Sequence, residues 1–267
     1  MDQNSNAGSL WPDPPKLPLP AIMDQHWTDA IFLHWRVPEN LAARFMPPGV
    51  QPDLFDSSSW VGLIGFHMKN AGIGRGPGIP YLGSFSEVNV RVYSREPDGT
   101  RGVVFLSLDA NRLPVVLAAR AAEIPYVWSR IRYSQPRPDS PGVEAIGYSV
   151  RRFRQGARSS FAVVPQLGGT LDDPLSVFLT ARYGMHSMFR GRSIYVPNTH
   201  KPWPLFSAKL HHLKDELLAS AAITAGGPPE SVLYSPGVRT QFGPPRLVSS
   251  LGGPPVDPRR PASHGLR

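Results

Sequence analysis

Residues 87–93 read Glu-Val-Asn-Val-Arg-Val-Tyr, an alternation of polar and apolar side chains that is typical of a β-strand. Because successive strand side chains point to opposite faces, Glu87, Asn89 and Arg91 share one face and the valines share the other. A carboxylate, an amide and a guanidinium in one row form either a solvated sheet face or the lining of a polar cavity. In a cavity, Arg91 would hold a carboxylate or enolate oxygen, Asn89 would contact the same ligand, and Glu87 would act as acid or base if burial raises its pKa.

Simpler roles for these residues stay open at this stage. Glu87 and Arg91 could pair with each other across the sheet and satisfy both charges without a ligand. Tyr126 follows a predicted helix, and it either donates a hydrogen bond to a substrate oxygen or packs in the core with its hydroxyl on a backbone carbonyl. Asp109, at a predicted strand end, is more typical of a turn or helix start than of a catalytic acid. The candidate set is therefore Glu87 as catalytic residue, with Asn89, Arg91 and Tyr126 as ligand-binding residues.

Several other kinds of site are excluded by the sequence. The chain has no cysteine, which removes disulfides, thiolate nucleophiles and thiolate metal ligands. The eight histidines show no metal-ligand spacing, so we predict no metal site and no cofactor. His34, among strand aromatics, is interpreted as structural. His200, in a His-Lys-Pro-Trp loop, is interpreted as part of the loop architecture or, as the alternative, as a residue that closes over the pocket. A dinucleotide-binding motif that began at Gly72 and Gly74 would need glycine at position 77 and a helix after it, but position 77 is proline and the next predicted element is a strand. No Gly-x-Ser-x-Gly motif occurs.

The net charge of +8 invites comparison with nucleic-acid-binding proteins. Only five of the 28 basic residues are lysines, however, and the arginines are scattered along the chain. The one dense group, Arg151, Arg152, Arg154 and Arg158, lies at a predicted hairpin without the aromatic residues that stack on bases. A solvated turn is therefore favoured over a phosphate-binding patch, and nucleic acid is not expected as a partner.

Many short strands and few helices are predicted, without a regular strand–helix–strand rhythm. The predicted strands are residues 30–37, 60–68, 87–93, 103–109, 131–134, 143–152, 160–164, 192–196 and 232–235. The predicted helices are residues 39–45, residues 112–123 with Asn111 as N-cap, and residues 173–183 with Asp172 or Asp173 as N-cap. Residues 209–216 suit either a strand or a helix. This pattern indicates the α+β class, with a mostly antiparallel curved sheet or β-barrel-like cone and a few short helices.

The domain organisation follows from composition. Hydrophobic residues make up 41% of the chain, which is typical of a globular protein. Pro-rich residues 1–20 are predicted to form a disordered arm and residues 252–267 a disordered tail, with a single domain at residues 21–251 between them. The first residues lack the apolar core of a signal peptide, and no stretch reaches the ~20 apolar residues of a membrane helix. A cytoplasmic protein without a membrane partner is expected.

Seven short motifs then occur in a fixed order: Phe32-Leu-His-Trp35, Pro47-Pro-Gly49, Trp60-Val-Gly-Leu63, Glu87-Val-Asn-Val-Arg91, Ser107-Leu-Asp-Ala110, His200-Lys-Pro-Trp-Pro204 and Tyr234-Ser-Pro-Gly237. Their order resembles the YqjF-like branch of the acetoacetate decarboxylase-like superfamily, and the resemblance covers roughly residues 24–247. The resemblance implies a β-rich, barrel-like cone that encloses a small-molecule cavity and often assembles into homo-oligomers.

The decarboxylases of that superfamily use a Schiff-base lysine that follows a proline, beside a second lysine that lowers its pKa. Only a neutral amine attacks a carbonyl, so the neighbouring cation matters. In this chain the corresponding run, residues 125–127, reads Pro-Tyr-Val and has neither lysine. The resemblance places the family's catalytic carboxylate at Glu87 and its upstream arginine near Thr28, where the arginine is missing. We predict no decarboxylation of a β-keto acid by the lysine route, unless Lys201 or Lys209 has taken over the role.

Two functions of different classes follow. The first is a small-molecule-binding protein whose ligand carries a carboxylate or carbonyl. This protein either only binds the ligand or also has acid–base activity on an oxo-acid-like substrate. The alternative is a non-enzymatic protein, either a ligand sensor or a basic interaction module. A buried Glu87–Asn89–Arg91 row around a cavity of a few hundred Å³ would favour the first. The same row in solvent, continuous with the arginines at residues 151–158, would favour the second.

Overall fold

The computed structural model of the chain describes residues 12–17, 20–74, 76, 78–135, 145–154 and 156–248. The predicted tail at residues 252–267 lies outside these ranges, and so does most of the predicted arm at residues 1–20. In the described part of the arm, the Pro12 carbonyl oxygen accepts a hydrogen bond from the Tyr183 hydroxyl at 3.1 Å. The arm, the single domain at residues 21–251 and the tail stay predictions.

The described residues form thirteen strands and four short helices. In chain order the first elements are β1 (Met23–Val37), α1 (Glu39–Ala43), β2 (Gln51–Pro52), β3 (Ser59–Ile73), β4 (Phe85–Arg95), β5 (Arg101–Ala110), α2 (Leu113–Ala121) and β6 (Tyr126–Ser134). The remaining elements are β7 (Ile146–Arg152), β8 (Arg158–Pro165), α3 (Pro174–Thr180), β9 (Gly184–Phe189), β10 (Arg192–His200), β11 (Phe206–Asp215), α4 (Leu217–Ser220), β12 (Ser231–Phe242) and β13 (Arg246–Leu247).

Nine strands close into a barrel in the order β5-β6-β7-β8-β11-β12-β1-β3-β4 and back to β5. Every pairing in this circuit is antiparallel except that of β5 with β6, where Leu108 lies opposite Tyr126 in parallel register. This confirms the predicted α+β class and the mostly antiparallel barrel. Closure also removes the free edges that would otherwise invite aggregation.

The interior of the nine-strand barrel is packed with apolar side chains. The valine face of β4 points into it, and Val88, Val90 and Val92 are fully buried there. Each buried valine contributes about 1.5–3 kcal/mol relative to exposure. Gly65 on β3 leaves room for the packing, since a Cβ at this position would lie 2.7 Å from the Tyr148 ring. The alternation of β4 therefore sends its polar residues to the outside of this barrel.

A second closed circuit lies on that outer side and consists of seven strands, β1-β3-β4-β5-β9-β10-β12. It shares five strands with the larger barrel and is completed by β9 and β10. Its closure depends on short pairings, with Val103 of β5 parallel to Met185 of β9 and Asn198 of β10 opposite Phe242 of β12. The polar face of β4 points into this smaller circuit, which is where the cavity described below is found.

The helices differ in detail from the sequence-based expectations. Asp173 caps α3 as predicted, since its carboxylate accepts hydrogen bonds from the backbone N–H groups of Leu175 and Ser176 at 3.1 and 3.0 Å. Asn111 does not cap α2: the N-cap is Arg112, with no side-chain cap, and a proline at the helix start removes one of the N–H groups that a cap would bind. Residues 209–215, left open between strand and helix, belong to β11. Among the described helices, none has the length and apolar character required to span a membrane.

Candidate functional site

A cavity of about 330 Å³ lies in the smaller circuit, and all seven of its strands contribute to the wall. Most of the lining is apolar, with prominent contributions from Trp27, Phe32, Phe66, Met68, Met185 and Phe189. The four residues selected from the sequence, Glu87, Asn89, Arg91 and Tyr126, all line this cavity. An enclosed apolar space of a few hundred Å³ with a few converging polar groups is the usual form of a small-molecule site.

Glu87 is the buried carboxyl group of the cavity, with only 3% of its surface exposed. Its Oε2 accepts a hydrogen bond from the Tyr126 hydroxyl at 2.7 Å, and its Oε1 accepts one from Asn89 Nδ2 at 3.2 Å. Burial raises the pKa of Glu87 to about 7, the charge of Asp109 adds to the rise, and the two hydrogen bonds oppose it. Near neutral pH this carboxyl group therefore exchanges a proton readily, which is what a general acid or base requires.

Tyr126 lacks one of the two roles considered from the sequence, that of a core tyrosine bonded to a backbone carbonyl, and its hydrogen bond to a substrate oxygen stays a prediction. Its hydroxyl donates to Glu87 rather than to a backbone carbonyl. Burial, together with the charge of Glu87 and the hydrogen bond to it, raises the pKa of Tyr126 well above its ordinary value, so the phenol stays protonated. The parallel pairing of Leu108 with Tyr126 fixes the start of β6 beside β5. Tyr126 is therefore a positioning residue that holds one carboxylate oxygen of Glu87.

Arg91 does not pair with Glu87. Its Nη2 donates to the Leu179 carbonyl oxygen at 3.2 Å and to the Tyr93 hydroxyl at 3.4 Å. Its Nε is buried and has no hydrogen-bond partner among the described residues. The simple Glu87–Arg91 ion pair is therefore absent from the described structure, and Arg91, which lines the cavity, retains one unsatisfied donor.

Arg182 also lines the cavity and was not selected from the sequence. It follows α3, its Nε donates to the Phe178 carbonyl oxygen at 2.7 Å, and its Nη1 binds the buried carboxylate of Asp53 at 2.5 Å. Because Asp53 is 129 residues away along the chain, no local pattern could have indicated this pair. The only sequence signal was an arginine in the last turn of the helix predicted at residues 173–183.

Two histidines border this region. His34 lies fully buried behind the cavity wall, with Nε2 2.6 Å from the Tyr93 hydroxyl. Burial lowers the pKa of His34 well below its ordinary value, and the charges of Arg91 and Arg182 add to this effect. His200 lines the cavity at the end of β10, and its Nδ1 lies 2.7 Å from the Lys201 carbonyl oxygen.

Asp109 is a structural residue that neither starts a helix nor lines the cavity. Its carboxylate accepts hydrogen bonds from Arg152 Nε and Nη2, both at 2.8 Å, and from Ser129 Oγ at 2.6 Å. Arg152 is thus buried and is not part of a solvated turn, whereas its hairpin neighbours Arg151 and Arg154 are exposed. The buried ion pair removes one member from the basic group identified in the sequence.

Ser94, His186 and Glu96 form a serine–histidine–acid chain that the sequence did not reveal, because the three residues come from two distant segments. Ser94 Oγ lies 2.9 Å from His186 Nδ1, and His186 Nε2 lies 3.2 Å from Glu96 Oε1. At most 1% of the surface of each residue is exposed. Because the Ser94 hydroxyl is shielded from solvent, these three residues form a structural hydrogen-bond network, and the serine is not placed to act as a nucleophile.

The lysines lie elsewhere on the molecule. All five, Lys16, Lys69, Lys201, Lys209 and Lys214, are described and exposed, and none lines the cavity. Among the described residues, no group of three or more His, Asp or Glu side chains is arranged to hold a metal ion.

Comparison with known proteins supports the assignment of the fold. The uncharacterized protein YqjF of Bacillus subtilis (strain 168) is 29% identical over 192 residues, which cover 70% of this chain and 76% of that protein. The enduracididine biosynthesis enzyme MppR, in a complex with pyruvate, superposes with a TM-score of 0.61 at 14% identity, covering 87% of this chain and 92% of that one. An acetoacetate decarboxylase-like enzyme from Sphingomonas wittichii RW1 gives a TM-score of 0.61 at 11% identity, covering 86% and 93% of the two chains.

The sequence profile of DUF2071, described as an uncharacterized conserved protein family, matches residues 24–239. This range contains β1 from residue 24 onward and the cavity-lining residues of β3, β4, β5, β9 and β10. The chain therefore belongs to the DUF2071 family, and its fold is similar to that of acetoacetate decarboxylase-like enzymes.

Proposed function

We propose that the cavity binds a small molecule carrying a carboxylate or carbonyl group and that Glu87 exchanges a proton with it. The observation that carries this proposal is the position of Glu87, a carboxyl group with a pKa of about 7 in a largely apolar cavity that also contains Arg91. A catalytic pKa near the operating pH is the optimum for general acid–base chemistry. The burial of the polar row favours this function over a basic interaction module.

The proposed step is proton abstraction from a carbon next to a carbonyl group. The C–H bond breaks, the proton moves to Glu87, and the electron pair moves to the carbonyl oxygen, which becomes an enolate. Arg91, whose Nε is buried and unpaired among the described residues, would hold a carboxylate or enolate oxygen, and Asn89 would contact the same ligand. Return of the proton from Glu87 completes the cycle. The complex of MppR with pyruvate supports the idea that this fold can hold an oxo acid.

A ligand sensor is the second candidate, because both carboxylate oxygens of Glu87 already accept hydrogen bonds from Tyr126 and Asn89. Such a site could bind a ligand and leave it unchanged. Assembly into homo-oligomers and a cytoplasmic location stay predictions, to be examined by native mass spectrometry and by fractionation of cells.

Hydrogen–deuterium exchange at carbon separates the two candidates. A panel of 2-oxo and 3-oxo acids is incubated with the protein in D₂O, and NMR follows loss of the α-proton signal. We expect exchange above the buffer rate for at least one acid, and Glu87→Gln should lower that rate about a hundredfold or more, the typical contribution of a general base. Glu39→Gln, on an exposed helix residue, is the matched control. Ligand binding without exchange in the wild type would instead establish the sensor.

The absence of a lysine from the cavity wall gives a separate expectation. Borohydride reduction in the presence of acetoacetate traps a Schiff base as a stable increase in mass. We expect no such adduct on the folded protein, because all five lysines are exposed and none has the buried surroundings that supply a neutral amine near pH 7. A single stoichiometric adduct at Lys201 or Lys209 would contradict this expectation and point to a relocated nucleophile.

A further inference from the structure

Two guanidinium groups converge at one end of the cavity. The Cζ atoms of Arg91 and Arg182 lie 5.5 and 4.9 Å from the centre of the Tyr93 ring. Arg91 donates to the Leu179 carbonyl oxygen and Arg182 to the Phe178 carbonyl oxygen, which are consecutive carbonyls near the end of α3. The same ring and the same helix end therefore hold both cations in place.

The charges at this end are not balanced. Asp53 is the carboxylate that pairs with Arg182, and it is shared with the exposed Arg101 at 3.2 Å, whereas Arg91 has no carboxylate partner among the described residues. Nη2 of Arg182 and Nε of Arg91 are buried and lack hydrogen-bond partners within the described ranges. A buried cation is costly without a counter-charge, so this end is suited to receive an anion.

The remainder of the wall has a different character. Glu87 lies four residues from Arg91 along β4, a separation of about 13 Å between backbone positions. On the neighbouring strand, Phe66 lies opposite Glu87 and Ile64 lies opposite Asn89, and both side chains line the cavity. A ligand that reaches from the arginines to Glu87 must therefore pass Asn89 on β4 and the apolar side chains of Ile64 and Phe66 on β3.

We infer that the ligand is an amphipathic monocarboxylate, whose carboxylate binds between Arg91 and Arg182 and whose apolar chain or ring extends along β4 toward Glu87. This inference rests on the proposed function and narrows its substrate class from small oxo acids to longer ones. Two guanidinium forks can hold both carboxylate oxygens through charge-assisted hydrogen bonds. Arg182 is then a specificity-determining residue, together with Arg91.

Calorimetry with straight-chain carboxylates from butanoate to dodecanoate tests the inference. We expect affinity to rise about fourfold for each added methylene until the chain fills the cavity, since each buried methylene is worth about 0.8 kcal/mol. The alcohol of the same length should bind about tenfold or more weakly, because it lacks the charge that the arginines recognise.

Two variants assign the recognition to the arginines. Arg91→Met removes one cation, and the double variant Asp53→Asn/Arg182→Met removes the buried pair together, which is better tolerated than breaking it. Each variant should lose most of the preference for the carboxylate over the alcohol but should keep the rise in affinity with each added methylene. The matched control is Asp56→Asn/Arg36→Met, the same exchange in an exposed ion pair. A melting temperature verifies folding, and Arg91→Met decides alone if the double variant does not fold.

The outcomes separate this inference from the proposed function. Affinity that does not change with chain length, or a carboxylate preference that survives in Arg91→Met, overturns the inference. If short oxo acids still bind and exchange a proton through Glu87, the proposed function stands without it. Long-chain carboxylates that bind as expected but never exchange with solvent deuterium leave the inference intact and remove the acid–base activity.

Discussion

Replacing Glu87 by glutamine should stabilise the protein by about 2.5 kcal/mol more at pH 8 than at pH 5. The cause is the cost of keeping a buried carboxylate charged. The pKa of Glu87 is about 7 in the folded protein and 4.5 for the unperturbed group. An uncharged amide of the same shape avoids that cost at every pH.

The direction follows from proton binding in the two states. Between pH 4.5 and about 7 the folded state retains a proton on Glu87 that the unfolded state has lost. The wild type therefore loses stability as the pH rises through this window, and the loss is complete above it. The glutamine variant has no titrating group at this position, so its free energy of unfolding rises relative to that of the wild type from pH 5 to pH 8. Other titrating groups cancel in the difference.

The variant should also fold, because the cavity can satisfy the new amide. Its oxygen can accept from the Tyr126 hydroxyl, and its NH₂ group can donate to Asn89 Oδ1 once the Asn89 amide rotates by 180°. That oxygen is buried without a hydrogen-bond partner among the described residues. Urea unfolding at pH 5 and pH 8 gives the difference directly, with Glu39→Gln as baseline. A difference between variant and wild type that is the same at both pH values would contradict a raised pKa.

Local patterns in the sequence were enough to predict the part of the cavity wall that β4 forms. The period-two alternation of residues 87–93 was enough to predict β4 and to place Glu87, Asn89 and Arg91 on one face. It could not decide whether that face meets solvent or a cavity. The answer depends on pairings such as Val103 with Met185, which join segments far apart along the chain and leave no local signal.

Proline and glycine misled the prediction of strand ends. The strand predicted to stop at residue 235 continues to Phe242, because Gly237 takes a φ of 126° and comes so close to β1 that a Cβ would lie 1.8 Å from the Trp27 carbonyl oxygen. The strand predicted to stop at residue 196 likewise runs through Pro197 to His200. These extensions place Phe242 and His200 on the cavity wall, so one part of the site that the sequence missed lies beyond residues normally interpreted as turns.

The ion pair of Asp109 and Arg152 supports the second large effect. Asp109→Asn should destabilise the protein by about 3–5 kcal/mol, the typical cost of removing one partner from a buried ion pair. Asp109 is fully buried, Arg152 is 4% exposed, and two hydrogen bonds of 2.8 Å join them. The substitution removes the negative charge of Asp109, while the Arg152 guanidinium stays in the protein interior. Arg152→Met combined with Asp109→Asn should restore part of the loss, because both charges are then absent.

Asp56→Asn is the matched control, since Asp56 pairs with Arg36 at 3.2 Å in solvent and such exposed pairs contribute about 1 kcal/mol or less. Urea unfolding compares the two variants, and equal losses of stability would contradict the importance assigned to the buried pair.

Asp109→Asn should also affect the candidate site. The charge of Asp109 contributes to the raised pKa of Glu87, so Asp109→Asn should lower that pKa and move the pH profile of deuterium exchange to more acidic values. A destabilised variant with an unshifted profile would show that the ion pair supports the barrel alone and leaves Glu87 to be tuned by burial.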